Sequence, residues 1–297
     1  MKTTLVTKDS FNVNVAKPRL RVSVSGGRTS ARMAQLIKEH LSSTHELLFL
    51  FANTSYEDPR TLRFLNDVDK NFDLGLVWLE AVVHQGKKSS THKVVNYETA
   101  CTKGEVFEAV VAKYGLPNQT FKLCTRELKT NVMSSYAKSI GWHPSSYQTA
   151  IGIRKDETRR VADSAEAQRI VYPLVDWWPT DKLDVLDHFE QFTWDLDIKE
   201  YEGNCLGCFK KSDKKLHTLY RERPDVFDLP IRLGDLYAKV GPNNVPGPRK
   251  MYRGYQSATE LVTKYNSLDF DASKLLDRVE TGCSESCELY ETVEIKL

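Results

Sequence analysis

The residues best equipped for chemistry stand in three groups: the run Ser25-Gly26-Gly27-Arg28-Thr29-Ser30, the cations Arg154, Lys155, Arg159 and Arg160, and the cysteines Cys124, Cys205, Cys208, Cys283 and Cys287. The first group is an anion site by composition. Val22-Ser23-Val24-Ser25 reads as the end of an alternating strand, and Met33, Leu36, Ile37 and Leu41 continue at helical spacing. Two glycines permit backbone conformations that aim successive N–H groups inward. The new helix adds its positive end, and Ser25, Thr29 and Ser30 add hydroxyl donors. A nucleotide phosphate fits this chemistry, and so does a plain capped helix start.

Cys205-Leu206-Gly207-Cys208 is a tight ligand knuckle: two thiolates at this spacing can grip one metal, and the nearby Lys210 and Lys211 favour thiolate formation. Cys283 and Cys287 form a second pair, so a structural Cys₄ zinc site is one reading and a metal-free redox pair is another. Cys101 reads as an ordinary thiol. Arg126 and Lys129, three residues apart, share one face near the start of a helix and can reach an anion there. The four cations at 154–160 repel one another unless anions or acids share their site.

These groups need elements to hold them. Short β-rich runs alternate with helical segments from Arg19 to about Phe192, the pattern of a parallel sheet wrapped by helices. Strands are expected at Leu20–Ser25, Leu47–Asn53, Leu76–Val82, Tyr147–Ile153 and Arg169–Tyr172. Helices are expected at Thr29–Leu41, Pro59–Lys70, Gly104–Tyr114, Arg126–Ser139 and Thr180–Phe192. The fold class is therefore α/β, a doubly wound, mostly parallel sheet, whose ligands gather outside the carboxyl ends of the strands. After Glu200 the alternation stops and Pro246-Gly247-Pro248 marks a break. The reading divides the chain into a nucleotide-binding α/β domain, 1–199, and a cysteine-containing helical and irregular region, 200–297, packed on it.

Bulk composition excludes classes without choosing a function. With 40% apolar and 28% charged residues the chain has ordinary globular usage. No apolar run approaches the roughly 18 residues of a membrane span. Met1-Lys2-Thr3-Thr4 leads into a polar stretch and not the apolar core of a signal peptide, so a cytoplasmic location is expected. A formal charge of +2 argues for no polyanionic partner. Locally, Lys210, Lys211, Lys214, Lys215, Arg221 and Arg223 with Tyr220, then Arg249, Lys250, Tyr252, Arg253 and Tyr255, interleave cations with aromatics as a nucleic-acid groove does and as a solvated helix face does.

Four motifs in order resemble the PP-loop proteins of the phosphoadenosine phosphosulfate (PAPS) reductase-like, adenine nucleotide alpha-hydrolase type. Ser-Gly-Gly-x-x-Ser at Ser25–Ser30 resembles their phosphate loop, with Thr29 where an acidic residue is usual. Phe51-Ala52-Asn53-Thr54-Ser55-Tyr56-Glu57 resembles Phe-x-Asn-Thr-Gly-x-Glu, with Ser55 in place of Gly, and implies adenosine-side contacts for Asn53 and Thr54. Cys124-Thr125-Arg126-Glu127-Leu128-Lys129 resembles the Cys-Thr-x-x-Leu-Lys of a subgroup that includes DNA phosphorothioation enzymes. Gly152-Ile153-Arg154 with Glu157 and Arg160 resembles a Gly-x-Arg-x-x-Glu stretch that ends in Arg. Pro173-Leu174 with Trp177 and Trp178 follows; for the tryptophans, aromatic core and helix cap is the reading adopted.

The resemblance implies ATP, or PAPS, with Mg²⁺ at Ser25, Gly26, Gly27, Arg28, Thr29, Ser30, Asn53, Thr54, Gly152 and Arg154, and roles in transfer for Arg154, Arg160 and Lys129. It implies a 4Fe–4S cluster in preference to Zn²⁺ on Cys124, Cys205 and Cys208, with Cys287, or Cys283 in its place, as the fourth ligand. The expected activity is ATP-dependent sulfur transfer of the PP-loop pyrophosphatase type, with a nucleic-acid acceptor and a sulfur-donor protein as expected partners. Sulfonucleotide reduction, or nucleotide binding without turnover, are the alternatives. The reductases' Glu-Cys-Gly-Leu/Ile-His stretch has no counterpart in this chain.

Overall fold

The computed structural model describes residues 17–241, 247–267, 270 and 271. Met1–Thr4, Pro246, Cys283 and Cys287 lie outside the described residues.

Five strands follow the apolar runs: β1 (Arg19–Ser23), β2 (Glu46–Asn53), β3 (Val77–Val82), β5 (Tyr147–Ile151) and β6 (Ile170–Val171). One more, β4 (Thr91–Val95), pairs antiparallel with β3, whereas all other neighbours are parallel. The order is β4-β3-β2-β1-β5-β6. The chain thus winds outward from β1 through β2 to β3, returns, and continues on the other side through β5. The winding reverses between β1 and β5, where a doubly wound sheet leaves a crevice at the carboxyl ends of its strands.

Side-chain alternation places a core on each face. Leu20, Val22, Phe49, Phe51 and Trp78 face α1 (Arg28–Leu41), α2 (Pro59–Phe72) and α6 (Lys182–Phe189), which contribute Met33, Ile37, Leu65, Val68, Val185 and Phe189. Leu50, Ala52, Leu79 and Ala81 face the opposite core, which holds Val110 and Val111 of α3 (Glu105–Tyr114) and Val132 and Met133 of α4 (Asn131–Ser139). Leu216 and Leu219 of α7 (Asp213–Glu222), Leu233 of α8 (Asp228–Tyr237) and Leu261 of α9 (Ala258–Tyr265) belong to that same cluster. Segments after Glu200 therefore share the sheet's own core.

Two expectations are revised. The segment expected as one α-helix from Arg126 opens instead as a π-helical turn, Cys124–Thr130, before α4 begins. A π turn needs more residues per revolution than an α turn, so residues three apart no longer share a face. Arg126 is 56% exposed on its side chain and pairs with Glu127, whereas Lys129 is buried. Of the tryptophans expected in the core, Trp177 is exposed and Trp178 stacks on His40, centroids 5.2 Å apart. No helix among the described residues is long and apolar enough to cross a membrane.

Candidate functional site

The loop between β1 and α1 closes on itself through its hydroxyls. Ser30 Oγ accepts from Ser25 N and lies 3.0 Å from Ser25 Oγ, and it donates to Gly27 O at 2.9 Å. Gly26 has φ +89°, and a Cβ there would stand 2.5 Å from Thr61 Cγ2 on α2. The position therefore requires glycine on both conformational and steric grounds. Arg28 turns away from the loop: its guanidinium meets Asp195 twice, at 2.7 Å each.

Across the crevice, the β5 loop approaches α1 so closely that a Cβ on Gly152 would lie 3.0 Å from Ser30 Cα. Arg154, buried, donates to Thr29 Oγ1 at 3.2 Å and to Asp156 at 2.9 Å. Thr29, standing where an acid is usual, thus accepts a hydrogen bond from the guanidinium. Arg160 pairs with Glu157 at 2.7 Å, and Lys155 with Asp181 at 3.1 Å. Acids of the chain itself answer much of the repulsion expected among these cations, and Arg159 is exposed. Ser25, Gly26, Gly27, Thr29, Ser30, Gly152 and Arg154 come together at the switch point.

The loop after β2 is built from internal bonds. Asn53 Nδ2 donates to Glu80 Oε1 and Cys101 O, both at 2.8 Å, and Asn53 Oδ1 accepts from Ser55 N. Thr54 donates twice to Glu57, from N at 3.0 Å and from Oγ1 at 2.8 Å. Ser55 sits at φ +63°, which explains why glycine suits this position, and its hydroxyl accepts from Val106 N at 2.9 Å. It thereby caps α3, whose own N-cap residue, Gly104, has no side chain to offer.

Cys124, Cys205 and Cys208 line one cavity of about 40 Å³ together with Thr54, Tyr56, Lys129 and Lys210. The knuckle is fastened to the β2 loop by an antiparallel bridge between Glu57 and Cys205, and by Leu206 N donating to Tyr56 O at 3.0 Å. Asp58 N donates to Asn204 O at 2.8 Å, and Asn204 Nδ2 reaches Ser25 O at 3.4 Å. The Ser25–Ser30 loop and the cysteine cavity are therefore joined by one residue that precedes the knuckle.

Electrostatics revise the expectation for the thiols. Burial, then the charge of Glu57, pushes the Cys205 thiol well up, against the opposing pull of Lys211 and Lys129. Lys211 is buried and spends its ammonium on the carbonyls of Cys205 and Leu206, so it shapes the knuckle more than it ionises it. Burial also raises the Glu57 carboxyl, with Lys129 and Thr54 opposing. The donor set is one that soft metals choose. Among the described residues, however, no three His, Cys, Asp or Glu side chains gather closely enough to hold one ion.

Sequence reasoning gave Glu57 and Asn204 no role of their own, and gave Lys211 the ionisation of the knuckle and not its shape. Glu57 was read only as part of a motif, and Asn204 drew no reading at all. The one signal for them was position: each lies within a few residues of a motif. The basic surface is largely engaged internally: Arg223 pairs with Asp58 at 2.9 Å, Arg249 lies over Phe121, Arg253 donates to Lys210 O and Lys250 pairs with Glu260.

Strand order and switch point define a doubly wound α/β protein with a crevice between β1 and β5. No family model matches the chain. It is 30% identical over 281 residues to the "Uncharacterized nin region protein ORF290" of Escherichia phage lambda, a match covering 91% of this chain and 94% of that protein. The chain belongs to the family of that phage protein. Among solved structures, a phosphate complex of phosphoadenylyl-sulfate (PAPS) reductase from Candida auris aligns at TM-score 0.37 and 15% identity, over 62% of this chain and 78% of that one. The fold assignment rests on the strand order and not on this likeness.

Proposed function

We propose that the protein is an adenine-nucleotide-dependent sulfur-transfer enzyme of the PP-loop type. The observation that carries this is the joining of two half-sites: the donor-rich loop Ser25–Ser30 and the cavity lined by Cys124, Cys205 and Cys208 share Asn204 and the β2 loop. An anion loop alone is a capped helix, and a cysteine cavity alone is a structural thiol cluster. Adjacent, they bring an activated phosphoryl group and sulfur within one molecule's reach.

In this reading the backbone N–H groups of Gly26, Gly27 and Arg28, with the hydroxyls of Ser25, Thr29 and Ser30, hold the phosphates of ATP with Mg²⁺. Arg154 stabilises the charge that develops as pyrophosphate leaves, and Arg160 fixes the Glu157 side of the Arg154 loop. Asn53 and Thr54 shape the loop through which the nucleoside passes. An acceptor oxygen attacks the α-phosphorus and pyrophosphate departs; a sulfur nucleophile then displaces AMP from the activated carbon. Lys129, buried at the cavity wall, attracts the anionic sulfur. Cys124, Cys205 and Cys208 line one cavity and would have to draw closer than they stand in this structure to hold a 4Fe–4S cluster, which when bound supplies a site for sulfur. The acceptor we propose is nucleic acid, and the sulfur source a donor protein.

Anaerobically prepared protein incubated with labelled ATP, and separately with labelled PAPS, tests the reading. Pyrophosphate from ATP is expected. Sulfite from PAPS without pyrophosphate would assign sulfonucleotide reduction, and nucleotide binding without either product would assign a regulator. Stoichiometric zinc with no visible absorption band in that preparation would remove the cluster.

A further inference from the structure

Asn204 Oδ1 and Thr61 Oγ1 are buried side-chain oxygens with no hydrogen-bond partner. Both adjoin the phosphate loop: Thr61 packs against Gly26, and the other end of the Asn204 amide reaches Ser25 O. Neither residue is exposed by more than 3%. A buried amide oxygen without a donor is a standing cost to the fold, and a donor brought by a ligand would relieve it.

The missing partner has a definite chemistry. An amide oxygen accepts and never donates. Ionised phosphate oxygens also only accept, so the phosphates that suit the loop's N–H and hydroxyl donors cannot satisfy Asn204. A divalent cation would, but Mg²⁺ sites are usually built around one or two carboxylates, and Asp58, whose N–H bonds Asn204 O, is held by Arg60 and Arg223 at 2.9 Å each. An O–H or N–H group on a molecule whose phosphates occupy the loop has the chemistry that Asn204 Oδ1 accepts. Contact with that group requires that the seated anion part Ser25 Oγ from Ser30 Oγ, which lie 3.0 Å apart in this structure.

We infer that Asn204 is a ligand-contact residue that accepts a hydrogen bond from the nucleoside part of the bound nucleotide, and so distinguishes a nucleotide from a bare polyphosphate. The inference rests on the reading of Ser25–Ser30 as a nucleotide site. It also assigns the knuckle a part in recognition, because the residue that reads the nucleoside is bonded directly to Cys205.

The test compares dissociation constants for ATP and for inorganic tripolyphosphate in the wild-type chain, in Asn204→Leu, which has similar size and no polar atoms, and in Asn204→Asp, which keeps an acceptor. The preference for ATP over tripolyphosphate should fall about tenfold in the Leu variant. In the Asp variant it should stay within about threefold of wild type, whatever its charge does to both affinities together. Equal losses of both ligands, or an unchanged preference in the Leu variant, would overturn the assignment. So would a melting temperature lower by more than about 5 °C in both variants, since that marks the amide as structural. A wild-type chain that binds tripolyphosphate but not ATP, or neither, removes the nucleotide reading itself; one that binds ATP with the preference unmoved by Asn204→Leu removes only the inference.

Discussion

Gly26 is closed to every other residue for two independent reasons, its φ of +89° and the 2.5 Å that would separate a Cβ from Thr61 Cγ2. Gly26→Ala should therefore lose about 2 kcal/mol of stability, part from left-handed strain and part from displaced packing. Its effect on ATP binding should exceed that loss, because the shifted peptide carries one of the loop's donors; urea unfolding and nucleotide titration of one preparation separate the two. Ser55 gives a second prediction with an unusual order. Its φ of +63° favours glycine, while its hydroxyl caps α3 by accepting from Val106 N. Ser55→Gly relieves the backbone and loses the cap, at about 1 kcal/mol, whereas Ser55→Ala loses the cap and keeps the strain, at about 2 kcal/mol. Unfolding midpoints should rank wild type above Gly above Ala; an Ala variant as stable as the Gly variant would remove the strain argument, and a Gly variant as stable as wild type would remove the capping argument.

At the scale of elements, the knuckle segment stays on the β2 loop through charge as well as backbone bonds. Asp58 is buried and meets both Arg60 and Arg223 at 2.9 Å, and Arg60 meets Glu202 at 2.6 Å. Burial alone would raise the Asp58 carboxyl, but hydrogen bonds from Arg60 and the two positive charges hold it below the usual range. Asp58→Ala leaves two guanidiniums without their shared partner and should cost about 2 kcal/mol, less than a fully buried pair because both arginines are partly exposed. The loss should be local: amide exchange at Leu206, whose N–H bonds Tyr56 O, should accelerate more than exchange in β1 or β2. Which elements were legible follows from what makes them. Of the parallel strands, β2 and β3 declare themselves as apolar runs, and β1 as an alternation of polar and apolar residues. β4 is an edge strand, Thr-His-Lys-Val-Val, whose polarity hides it. The π turn at Cys124–Thr130 depends on the packing that buries Lys129 while leaving Arg126 outside, which no local periodicity encodes. The tight turn at Ser25–Ser30 was readable because glycine spacing fixes it locally. Glu57 and Asn204 were not, because their importance arises only when segments about 150 residues apart in sequence meet.

For the whole molecule, two cores on opposite faces divide the work. One face, with α3, α4 and α7–α9, carries the cysteine cavity; the other, with α1, α2 and α6, is a clamp of aromatic packing that sets how firmly the sheet is held. Within that clamp His188 lies among Phe72, Phe189 and Phe192, and its Nε2 is 3.5 Å from the guanidinium of Arg32 on α1. Burial, then the positive charge of Arg32, lowers its pKa to about 4, with Glu39 opposing. The folded chain therefore resists a proton that the unfolded chain accepts near the ordinary imidazole value of about 6.5. A depressed folded pKa means that the contribution of neutral His188 is complete above the unfolded value and is lost as pH falls toward the folded one. Between pH 7 and pH 5 this should remove about 1 kcal/mol, a figure reduced from the full linkage because the ring is only partly buried. His188→Gln, which cannot be protonated, should be less stable at pH 7 but lose less on acidification. The difference between the two chains in unfolding free energy should thus narrow as pH falls. A difference that stays constant across the interval would mean that the ring titrates alike in both states, and that the clamp between α1 and α6 does not exclude charge.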